Sequence, residues 1–100
     1  MQLPYYAVIF TSVSTENSEG YSEMAETMEK LAQQQEGYLG IESARNDIGI
    51  TVSYWKDLES IRNWKQNVDH LEAQRRGIVS WYKSYKVRIA LVEREYSFEL

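Results

Sequence analysis

The segment WKQNVDHLEAQRRGIVSWY, Trp64 to Tyr82, holds the only histidine of the chain and two of its three tryptophans. His70 is a candidate general base, because an ordinary imidazole pKa of about 6.5 allows it to take and return a proton near neutrality. Trp64, Trp81, Tyr82 and, one strand earlier, Trp55 are planar groups that can line a cavity for a flat aromatic ligand. Each aromatic alone has an ordinary place in a core. His70 near a helix start, where the dipole disfavours imidazolium, has an ordinary place as a neutral hydrogen-bonding group. Their convergence on one stretch is what suggests a pocket.

Other chemistries are excluded more easily. The five glycines lie at 20, 37, 40, 49 and 77, too scattered for a phosphate-cradling loop. There is no cysteine, so thiol nucleophiles, disulfides and thiolate metal sites are ruled out, and one histidine makes a zinc site improbable. No serine stands in a nucleophile-elbow context. Asp57, Glu59, Asp69 and Glu72 fall where helix caps and solvated faces are expected. Fifteen acids against eleven bases, interspersed, give a formal charge of −4 and no basic face for nucleic acid. No apolar run approaches the roughly 18 residues of a membrane span, and MQLPYYAVIF lacks a charged signal-type start. The expectation is a soluble cytoplasmic protein and no membrane partner.

One hundred residues, 43% hydrophobic and 13% aromatic, make a single domain over 1–100 with a modest core. Tyr5 to Ser12 (YYAVIFTS) reads as a strand apolar on both alternations, which expects cover on both faces. A helix is expected from about Ser18 to Gln35, with Tyr21, Met24, Ala25, Met28, Leu31 and Ala32 at helical spacing and Glu23, Glu26 and Glu29 outward. Gly37 suits its left-handed end. Two strands follow, Tyr38 to Arg45 and Ile50 to Lys56, joined by the turn residues of 46–49. Asp57 can cap a helix with Leu58, Ile61 and Trp64 on one side. Asn67 can cap a second helix from Val68 to about Arg76, with a break near Gln66–Asn67 and an interruption at Gly77. Lys83 to Glu99 reads as one long terminal strand.

This order is α+β, a ferredoxin-like βαββαβ unit with helices on one face of a four-stranded antiparallel sheet. The other face is expected to carry Tyr6, Val8 and Phe10, with some of Ala90, Val92, Tyr96 and Phe98. So much apolar area predicts a homodimer in which two sheets pair.

The strings SYWKDLESIRNWKQNVDHLEAQRRG and WYKSYKVRIALVEREYSF resemble the antibiotic biosynthesis monooxygenase superfamily of dimeric α/β barrels. The pattern runs through His70, Ala73, Gln74, Gly77, Trp81, Tyr82 and Tyr85. The resemblance implies a homodimer joined through its sheets and, in some members, oxidation of phenolic or anthrone-type compounds by O2 without metal, flavin or haem. It implies a ligand cavity between sheet and helices. There Trp64 matches the helix tryptophan, His70 falls where a polar contact is supplied, and Gln74 lies nearby. Other members degrade haem through an asparagine of the first strand and an axial histidine. Here the first strand has no asparagine and Gln74 or a neighbour stands at the histidine's place, so haem is the weaker enzymatic alternative, and a non-catalytic small-molecule-binding dimer is the other alternative, since fold alone does not fix function. One geometric condition attaches to His70. On an unbroken α-helix six residues leave it about 240° round from Trp64, so the two share a site only if the helix breaks between them.

Overall fold

The first strand, β1 (Tyr5–Ser14), is followed by α1 (Tyr21–Gln33), β2 (Tyr38–Arg45), β3 (Gly49–Trp55), α2 (Leu58–Gln74) and β4 (Tyr82–Val92). The computed structural model describes residues 1–74 and 81–100, the side chains of 71–74 excepted. The expected interruption at Gly77 therefore lies outside the described residues. The sheet runs β2-β3-β1-β4 with every neighbouring pair antiparallel, the ferredoxin-like order.

Register divides the residues between two faces. Four rungs cross the inner, helix-bearing face: Arg45–Gly49–Ser12–Tyr85, Ser43–Thr51–Phe10–Val87, Ile41–Ser53–Val8–Ile89, and Tyr38–Trp55–Tyr6–Leu91. The core sits under the last of these, where Ala32, Trp55 and Ile61 are buried with Tyr6, Val8, Tyr38 and Trp64 against them. Tyr6, Val8 and Phe10 thus face the helices, contrary to expectation. The outer face carries Tyr5, Ala7 and Ile9 instead. A strand apolar on both alternations leaves that choice to its partners, and Trp55 opposite Tyr6 decides it.

Two further expectations are corrected. The terminal strand stops at Val92, because β1 begins at Tyr5, its partner, and residues beyond have no neighbour to pair with. Helix α2 is unbroken from Leu58 to Gln74. The Asn67 side chain donates back to the Asn63 carbonyl at 3.0 Å instead of capping a new helix. Lys65 and Asp69, at 3.1 Å, bridge the place where the break was expected. The start of α2 is as expected: the Ser60 amide donates to Asp57 Oδ1 at 2.8 Å. Hydrogen bonds from the Ser60 side chain and amide hold the Asp57 carboxyl below its ordinary value. Gly37 takes the left-handed conformation (φ 88°) after α1, and a Cβ there would run into Ser60.

Candidate ligand site on the inner face

Among the described residues the inner-face aromatics do not form one cluster. They form two groups at opposite ends of the inner face, six residues apart along β1, which is roughly 20 Å. At one end Trp55 is fully buried. Its indole N–H donates to Ser53 Oγ at 2.9 Å, Trp64 stacks on it at 5.9 Å, and Tyr38 meets it edge-on at 5.7 Å. Trp55 has no surface left for a ligand, so its expected contact role becomes that of a buttress behind half-buried Trp64.

The other end is open. Phe10 stacks on Tyr85 at 5.4 Å and meets Tyr82 edge-on at 5.5 Å. Tyr21, at the start of α1, touches Tyr82 at 6.0 Å and Trp81 at 5.8 Å. The Trp81 indole donates to the Glu19 carbonyl at 2.7 Å, which ties the loop before α1 to the start of β4. Arg45 reaches this end from β2, its guanidinium carbon 5.8 Å from the Tyr21 ring centre. Trp81 and Tyr82 are therefore placed together, and apart from Trp64.

Between the two ends runs a strip of β4. The helices lie over the other strands and leave Val87, Ile89 and Leu91 at 47%, 53% and 46% exposure, although these residues face the helix side. Apolar side chains on an inner face are normally the covered ones. From Tyr85 to Ile89 this shelf is four residues long, roughly 13 Å. That length suits a two- or three-ring aromatic system.

His70 lies on exposed surface of α2. Because the helix is unbroken, it points about 240° away from Trp64, and the condition set for a shared site is not met. The side chain of Gln74 lies outside the described residues. Among the described residues no group of three or more His, Cys, Asp or Glu is arranged to hold a metal, and no helix is long and apolar enough to cross a membrane. Sequence reasoning missed Phe10 and Arg45 as members of this surface. Arg45 followed four residues later by Gly49, with Ser12 and Ser14 in alternation on β1, was the available signal.

Comparison with known proteins bears on the family and the fold. The family model described as antibiotic biosynthesis monooxygenase matches residues 4–76. The uncharacterized protein YqjZ of Bacillus subtilis (strain 168) is 49% identical over 98 residues, 96% of this chain and 86% of that one. Two solved structures are similar at identities that speak for fold alone. SnoaB, a cofactor-independent oxygenase from Streptomyces nogalater, gives a TM-score of 0.65 at 10% identity, over 94% of this chain and 96% of its own. A MhuD variant with two manganese protoporphyrin IX molecules bound per active site gives 0.64 at 12%, over 94% and 98%. Residues 4–76 carry most of the fold and both helices, and on that match the chain belongs to the antibiotic biosynthesis monooxygenase family.

Proposed function

We propose that the protein oxidises a small aromatic, phenolic or quinol-like compound with O2, the compound lying along the inner-face shelf of β4. The observation that carries this reading is the uncovered apolar strip Val87–Ile89–Leu91, which runs from the Phe10–Tyr82–Tyr85 group towards Trp64. The family and the fold shared with a cofactor-independent oxygenase support it. In such chemistry the substrate loses two hydrogens, both from an anthrone-type CH2 or one from a ring carbon and one from the hydroxyl, that carbon gains one oxygen atom, and the second oxygen leaves as water. The substrate supplies all the electrons and no outside reductant is required. The protein's share is to orient the ring, exclude water and favour the ionised form.

Haem, the alternative implied by the family resemblance, does not suit these residues. The chain's single histidine lies on the outer side of α2, and β1 offers no asparagine. Among the described residues the shelf has no imidazole to ligate iron.

The second half of the proposal is a homodimer through the outer face. Ile9, Ile50, Val52 and Ala90 share that face, and Thr11, Val13, Ile50 and Lys86 of it help line an open depression of about 390 Å³ whose lining also includes Ser12 and Tyr85. Beyond it Tyr96 and Phe98 stand almost wholly exposed. A monomer seldom leaves so much apolar area in water.

The test is oxygen consumption with a naphthol, a hydroquinone and an anthrone in chelator-treated buffer, comparing wild type with Ile89→Arg. Saturable uptake that the shelf-filling arginine abolishes is the expected outcome. Equal uptake by the two proteins, or none above background for wild type with any of the three, would sink the oxygenase reading. Sedimentation at micromolar concentration tests the dimer separately.

A further inference from the structure

Among the described residues Arg45 has no acidic partner. It ends β2 on the inner face, and its side chain crosses Gly49 to reach β1. There Nη2 donates to Ser12 Oγ at 2.5 Å and Nη1 to Ser14 Oγ at 2.6 Å. Ser12 is buried. Gly49 does not take the left-handed conformation. It is needed for clearance, because a Cβ there would run into the guanidinium. Among the described residues no carboxylate pairs with Arg45, although the chain carries fifteen acids. Hydroxyls hold the group in place and leave its charge uncancelled, and only part of an arginine's five N–H donors are used.

The charge also sits against the aromatic wall. Tyr85 is the next residue along the same rung beyond Ser12, and Tyr21 lies under the guanidinium while touching Tyr82. Planar guanidinium suits planar anions, which it binds through two parallel N–H donors. In a chain of net charge −4 the overall field repels anions, so an uncompensated cation at the open aromatic end is a local departure.

We infer that Arg45, seated on Ser12 and Ser14 across Gly49, binds the anionic group of an aromatic ligand whose rings rest on Phe10, Tyr82 and Tyr85. The ligand class is an aromatic carboxylate or a readily ionised phenol or enol. This deepens the reading of the shelf as a ligand site and rests on that reading, but not on oxygen chemistry.

The experiment is equilibrium binding of two fluorescent probes, a hydroxynaphthoate and the neutral naphthol that lacks its carboxylate, to wild type, Arg45→Met, Arg45→Lys and Gly49→Ala. Wild type should prefer the carboxylate by about tenfold or more, the scale of a charge-assisted hydrogen-bonded pair. Arg45→Met should lose that preference while binding naphthol as before. Arg45→Lys should keep part of it. Gly49→Ala, which retains the charge but displaces it, should weaken naphthoate selectively. Thermal melts of all four proteins show whether each variant is folded, and the lysine and alanine variants keep the test decisive if the methionine variant is not. A wild type that binds both probes alike, binds neither, or keeps its preference in folded Arg45→Met would overturn the assignment. An intact preference without oxygen uptake would leave the anion seat standing and remove the oxygenase.

Discussion

The two ends of the inner face are built from the same kinds of residue and differ in whether those residues are satisfied. At the Trp55 end the buried indole has its partner inside the fold: its N–H donates to Ser53, and the rings of Tyr38 and Trp64 pack on it. At the Arg45 end a charge is steadied by two hydroxyls and, among the described residues, left uncancelled, beside rings that keep exposed surface. Aromatic clusters are poor evidence of function by themselves. Unspent hydrogen-bonding capacity next to one is better evidence, because a fold does not need it for stability.

If that contrast is correct, equal truncations at the two ends should fail differently. Trp55→Ala empties the core and should cost about 3–5 kcal/mol of stability, read as a large fall in the urea midpoint. Tyr85→Ala, on an exposed ring, should stay within about 0.5 kcal/mol of wild type while weakening aromatic ligands several-fold. A Tyr85 variant that unfolds as readily as the Trp55 one would erase the distinction.

The hinge of the closed end is smaller in effect. Asp57→Ala removes the cap of the helix that carries Ile61 and Trp64 and should lower the urea midpoint slightly, by much less than Trp55→Ala does. Because Ser60 lowers the Asp57 pKa in the folded state, the cap's contribution is complete above the unfolded value near 3.8 and is lost as pH falls through the folded one. Wild type and variant should therefore converge in stability at acid pH.

A still smaller effect belongs to the outer face. The Tyr54 hydroxyl donates to Glu42 at 2.6 Å. That bond, with some burial and the carboxylate's charge, raises its pKa from 10.0 to about 12. A raised folded pKa stabilises fully below the unfolded value and ceases to as pH climbs from 10.0 towards about 12. Tyr54→Phe should remove this alkaline loss without touching ligand binding at either end. Spectrophotometric titration of the phenols checks the first part.

Much of this was legible beforehand, for physical reasons. β2 needed only its alternation and a turn at 46–49, and α1 its helical spacing; Asp57 announced its cap by type and place. The faces of β1 were not legible, because Tyr5–Ala7–Ile9 and Tyr6–Val8–Phe10 are equally apolar and pairing alone chooses between them. The end of β4 was not legible either, since the alternation Tyr96, Phe98 continues where β1 has run out. Arg45 was hidden because a charge at a strand end reads as solvent-facing until register shows Gly49 and Ser12 in line with it. The family resemblance was carried by the stretch around His70, whereas the surface with unspent chemistry lies at the far end of the sheet.

His70 gives the smallest expected effect and the sharpest check on that displacement. An asparagine can start a helix, but it can equally donate to the carbonyl four residues back, and Asn67 does the latter. The helix therefore continues, Trp64 keeps its inner side and His70 an exposed one. A general base on the ring held by the shelf would be worth about 10²–10⁴-fold in turnover. An exposed residue off that side should change turnover less than tenfold and stability by no more than about 0.5 kcal/mol when replaced by alanine. Steady-state oxygen uptake by His70→Ala, measured beside Arg45→Met, ranks the two ends directly. A larger loss for His70 would move the chemistry back to α2; a larger loss for Arg45 would mean that the site works by stabilising an anion, with solvent accepting the proton.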